Sequence, residues 1–85
     1  MTFQFILTRQ AEEDLAKFPT RSADQIRRKL AYFLSAPDPM VFTKPLVDLP
    51  PATHRFRFGD IRIKFFRDKN IFYITGIDYR GKVYR

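Results

Sequence analysis

Apolar residues alternate with polar ones at Phe3, Phe5 and Leu7, the period of a short strand with one buried face. The period then changes. Ala11, Leu15 and Phe18 recur at helical spacing behind Thr8, a residue type that caps helix N-termini. Pro19 stops that helix. Ala23, Ile26, Leu30, Phe33 and Leu34 form the apolar stripe of a second helix. Ser22 or Thr20 is its expected cap, and Arg27, Arg28 and Lys29 fall on its solvated side. Pro37 and Pro39 end it. Only a few residues join the two, which predicts an antiparallel helical hairpin.

Residues 37–53 hold five of the six prolines and show little periodicity. They predict a connecting loop, with Val41-Phe42 and Leu46-Val47 as tethers to the core. Three strands follow, at roughly 54–58, 61–67 and 71–77. Asp68-Lys69-Asn70 supplies the last turn. Ile71-Phe72-Tyr73-Ile74-Thr75 is apolar on both faces, which predicts a central or covered strand. The order β-α-α-β-β-β gives an α+β fold, a small antiparallel sheet packed on an N-terminal helical hairpin. One domain over residues 1–85 is expected.

The pattern is sharpest at His54-Arg55-Phe56-Arg57-Phe58-Gly59-Asp60-Ile61-Arg62-Ile63-Lys64-Phe65. Gly59-Asp60 suits a two-residue type II′ turn, with Gly at the first central position. Folded there, Phe58 faces Ile61 and Phe56 faces Ile63 on one side. The other side pairs Arg57 with Arg62 and Arg55 with Lys64. Like charges directly opposite each other destabilise a hairpin, so an anion is expected on top.

Charge strengthens this picture. Of the net +7, residues 53–85 hold nine Lys/Arg against three Asp, and residues 1–52 hold seven against six acids. A basic excess confined to one part of the chain points to a polyanion, nucleic acid first. The chain has no Cys and one His, so thiolate and imidazole metal sites are not expected. No apolar run reaches membrane-spanning length and no signal peptide opens the sequence, so a soluble cytoplasmic protein is the expectation.

No Gly-rich phosphate loop, HExxH or Ser/Cys–His nucleophile pattern is present. Asp60 and Asp68 fall in turns and Asp78 stands alone, so no two-metal site is expected. What remains is arginine with Tyr79 and Tyr84. Guanidinium forks bind phosphate oxygens bidentately and stabilise charge developing on phosphorus. Exposed aromatics among cations can stack on unpaired bases, although Phe66 and Tyr79 read first as packing residues.

Three segments make a larger pattern. Phe5 to Phe18 carries an opening strand and helix of the form hydrophobic-x-x-x-A-x-x-D/E-L. Arg55-Phe56-Arg57-Phe58-Gly59-Asp60-Ile61-Arg62 is similar to an "RhRhGdyR" hairpin. Gly76-Ile77-Asp78-Tyr79-Arg80-Gly81-Lys82-Val83-Tyr84-Arg85 is similar to a closing "GHRREVYR". In order, spacing and length the chain resembles the RelE/ParE superfamily of bacterial type II toxins. The resemblance implies a cognate acidic antitoxin as partner and no cofactor. RelE-like members cut mRNA in the ribosomal A site without metal, through attack by the ribose 2′-hydroxyl. ParE-like members inhibit DNA gyrase and are not nucleases. Retention of Tyr84 and the cationic hairpin favours the first. The resemblance places phosphate chemistry on Arg62, Arg80 and Tyr84, the last as general base or base-stacking group. Arg55, Arg57, Lys64, Lys82 and Arg85 are the implied RNA-binding residues. The His frequent before the closing Arg is Tyr79 here, and the second Arg is Gly81. The chain also stops without a C-terminal helix, and the choice of general base is left open.

Overall fold

Thr8 does cap the first helix. Its hydroxyl accepts from the Ala11 amide at 3.3 Å, and α1 runs Arg9–Ala16. Pro19, not Thr20 or Ser22, occupies the cap position of α2 (Thr20–Leu34), which has no side-chain cap bond. The extended backbone of Pro19 turns the chain directly into helix, and its carbonyl accepts from the Ala23 amide. The computed structural model describes residues 2–79. Its strands are β1 (Gln4–Leu7), β2 (Thr43–Pro45), β3 (His54–Phe58), β4 (Ile61–Asp68) and β5 (Ile71–Tyr79), with a 3-10 turn at Pro39–Phe42. Among the described residues no helix is long and apolar enough to cross a membrane.

The five strands form one sheet in the order β1-β5-β4-β3-β2. The α+β class and the helical layer agree with expectation. The sheet, however, is mixed: β1 joins β5 in parallel. Both helices lie in the connection that follows β1, and a crossover of that length frees β1 from the antiparallel pairing that a tight hairpin imposes. β5 is accordingly flanked on both sides, as its two-sided apolar sequence suggests.

The proline-rich stretch is also more ordered than a plain loop. Pro39 is buried, Met40 packs against the core, and the Phe42 ring lies 5.0 Å from that of Phe33. Val41 and Val47 are exposed and tether nothing; Ala52 is buried in their stead. Thr43–Pro45 pairs with β3 as a short edge strand.

One face of the sheet meets the helices. Phe56, Ile63, Phe65, Phe72, Ile74 and Ile77 pack against Ala11, Leu15, Ala23, Ile26, Leu30, Phe33 and Leu34. The register of β3 with β4 is the one expected, Phe58 with Ile61, Phe56 with Ile63, Arg57 with Arg62 and Arg55 with Lys64. Gly59 takes φ +60° at the first turn position, where any other L-residue would be strained.

The pairing of β4 with β5 contains a bulge. Lys64 faces Gly76 but Phe65 faces Ile74, so Thr75 is the extra residue. Its hydroxyl donates to the Lys64 carbonyl at 3.3 Å. Strand parity inverts there. Before the bulge Phe72 and Ile74 point inward; after it Ile77 does, and Asp78 turns to the opposite face. β1 ends at Leu7, opposite Ile74, leaving the β5 edge beyond it uncovered. Asp14 of α1 reaches that edge and accepts the Ile77 amide proton at 3.0 Å, while Gln10 donates to its other oxygen at 2.8 Å.

Candidate nucleic-acid interface

Two cross-strand rows occupy the face turned away from the helices. One runs Lys44, Arg55, Lys64, Gly76 across β2 to β5; the other runs Arg57, Arg62, Asp78 across β3 to β5. Five cations therefore share these rows with one acid. Arg55, Arg57, Arg62 and Lys64 are brought together as expected. Lys44 was not anticipated, because three residues ending in Pro45 carry too little period to signal a strand.

Asp78, the one acid of these rows, is paired with two cations. Its Oδ2 lies 3.2 Å from Lys64 Nζ and 3.5 Å from Arg62 Nη2. The bulge is what brings it there. Gly76 makes room for the contact: a Cβ at that position would stand 3.1 Å from Lys64 Cε, so the lysine lies across bare backbone on its way to Asp78. The three side chains are 24%, 24% and 35% exposed for Arg62, Lys64 and Asp78. Ion pairs this open to solvent contribute about 0–1 kcal/mol. A hydrogen bond to a charged group contributes about 1.5–3 kcal/mol, so an incoming phosphate competes well with Asp78. The Arg62 Nε is buried and has no hydrogen-bond partner among the described residues.

Arg57 folds back so that its Nε donates to the Gly59 carbonyl at 3.0 Å, tying the cation to the turn. Arg67 leaves this face altogether. It lies over the rings of Phe3 and Phe72 and donates to the Lys69 carbonyl. The basic excess of the C-terminal part is thus sorted by strand parity, with Arg55, Arg57, Arg62 and Lys64 on the open face and Arg67 against the core side. Tyr79 pairs with Ile61 and lines a cleft of about 620 Å³ with Phe18, Pro19, Ser22 and Ile77. His54 stacks on Phe65, away from the cationic rows. Arg80, Lys82, Tyr84 and Arg85 lie outside the described residues.

No protein-family model and no curated protein matches the chain. Solved structures do. A chain of the toxin–antitoxin complex RelBE2 from Mycobacterium tuberculosis superposes with a TM-score of 0.74 at 24% identity, over 94% of this chain and 100% of that one. A chain of the archaeal RelE–RelB complex from Pyrococcus horikoshii OT3 gives a TM-score of 0.70 at 19% identity, over 98% of this chain and 100% of that one. The fold is RelE-like. In this fold the strand segment carrying Asp78 depends on α1, because Asp14 accepts the amide proton of the neighbouring Ile77.

That dependence is measurable. Asp14→Ala removes the acceptor of the Ile77 amide at a half-buried edge and should cost about 1–2 kcal/mol. For a domain of this size, each kcal/mol is about 4–8 °C in melting temperature. Asp14→Asn retains an acceptor oxygen and should lose less. Amide exchange at Ile77 should accelerate in the Ala variant; unchanged protection there would mean that the carboxylate does not hold the edge.

Proposed function

We propose that the chain is the toxin of a toxin–antitoxin pair, and that it cleaves mRNA on the ribosome without a metal. The observation that carries this reading is the pair of cationic rows on the open face of a RelE-like sheet. Opposing Arg57 to Arg62, and Arg55 to Lys64, costs stability in the free protein. An anion relieves that repulsion, and a phosphodiester is an anion with oxygens for several guanidinium donors at once.

In the cleavage step the ribose 2′-oxygen gives up its proton and forms a bond to phosphorus, the bond from phosphorus to the 5′-oxygen breaks, and the leaving 5′-oxygen takes up a proton from water. The products are a 2′,3′-cyclic phosphate and a 5′-hydroxyl. Arg62 binds the non-bridging oxygens and stabilises the charge that gathers on them, with Arg80 as a second donor. Tyr84 takes the 2′-proton as general base, or stacks on the neighbouring base. Arg55, Arg57, Lys64 and Lys44 hold the backbone, joined by Lys82 and Arg85. The partner is a small acidic antitoxin whose charge complements this surface.

Induced expression of the chain alone should arrest growth and leave mRNA cut within coding regions. Co-expression of an acidic protein encoded beside it should restore growth and yield one co-purifying complex. In vitro, gyrase supercoiling should be unaffected. Inhibited gyrase with intact mRNA would replace this reading with a ParE-like one.

A further inference from the structure

Phe66 and Tyr73 form an aromatic pair that the core does not use. They are cross-strand partners in β4 and β5, with ring centroids 5.0 Å apart and planes at 18°. Neither belongs to the buried cluster or packs against it. Both sit on the open face, since Phe65 and Phe72, their chain neighbours, point into the core. In β1 the partner of Tyr73 is Ile6, which is 46% exposed. Among the described residues no helix covers them. Along β4 the face presents Arg62, Lys64 and Phe66 in succession, about 7 Å per step. Cations thus give way directly to rings along one strand.

We propose that Phe66 and Tyr73 are a base-stacking subsite for single-stranded RNA whose phosphates lie on the Arg62–Lys64 rows. The proposal rests on the reading of this face as an RNA surface and adds a second recognition element to it. A cationic track beside aromatic rings is the arrangement that binds single strands, because phosphates meet charge while each base offers a π face. The five cations of the rows favour such an occupant over a neutral or basic protein segment.

The test uses the intact chain and two probes, a short labelled oligoadenylate and a ribose–phosphate strand of equal length without bases, with binding read by fluorescence anisotropy at low salt. Wild-type protein should prefer the base-bearing strand by about fivefold to a hundredfold. Phe66→Ile and Tyr73→Val keep strand-forming side chains and should erase most of that preference, whereas Tyr73→Phe should keep it. Arg62→Ala should weaken both probes alike and reduce the salt dependence. A wild-type protein that binds both probes equally overturns the subsite without reference to any variant. So does a folded Phe66→Ile, Tyr73→Val double variant with wild-type preference, the result expected if these rings instead receive a protein. In either case, retained binding with a loss in Arg62→Ala leaves the RNA surface standing. Failure to bind either probe at low salt overturns both.

Discussion

Arg62→Ala should slow single-turnover cleavage of mRNA on a programmed ribosome by about 10²–10³-fold, the loss that follows removal of one oxyanion donor. Arg62 is one of the two cations paired with Asp78. Its Nε is buried, and its Nη2 is only 3.5 Å from Asp78, so the group is held in place by packing more than by a strong partner. The fold should survive. Removing Arg62 relieves repulsion from Arg57, and Asp78 keeps its 3.2 Å contact with Lys64. The melting temperature should therefore change by only a few degrees, equivalent to less than about 1 kcal/mol. A folded Arg62→Ala that cleaves at the wild-type rate would remove this residue from the chemistry. Chelation of divalent metal in the same assay should leave the wild-type rate unaltered, provided the ribosomes stay intact.

Phe56→Ala should lower stability by about 3–5 kcal/mol. Phe56 is fully buried at the centre of an aromatic stack. Its ring centroid lies 4.8 Å from Phe33 and 4.8 Å from Phe65, with interplanar angles of 4° and 23°. The stack joins α2 to β3 and β4, so a cavity there loosens both layers at once. A domain with a total stability of about 5–15 kcal/mol has little left after such a loss. Urea melts should show a lower midpoint, and Phe56→Leu should recover part of it. A midpoint within experimental error of wild type would mean that the stack does not bind helix to sheet.

Much of this architecture is legible in the residues. The period-two run from Arg55 to Lys64 fixes which side chains face each other, and Gly59 fixes where the chain reverses. The helical stripes and the Thr8 cap follow from spacing and side-chain chemistry alone. Three features were not legible, each for its own reason. The parallel pairing of β1 is decided by a crossover, and alternation at Phe3, Phe5 and Leu7 says nothing of direction. β2 is three residues long and ends in proline, below the length at which alternation can be recognised, so Lys44 escaped notice. The cation partners of Asp78 depend on the bulge at Thr75. An unbroken alternation through residues 71–79 would have pointed it toward the helices, and the sequence marks the change of phase only by Gly76 beside Ile77. The cationic hairpin was thus visible in outline, while the carboxylate that sits among its charges required the three-dimensional pairing.

The short strand β2 bears on self-association as well. A sheet with exposed backbone at its rim can be lengthened by a second copy, the first step toward fibrous aggregation. Here the rim strand ends in Pro45, which has no amide proton to donate, and Lys44 would be set against the cations of any copy that docked alongside. Three residues also offer few groups for pairing. The β2 border of the sheet is in this way closed to extension while its open face stays accessible.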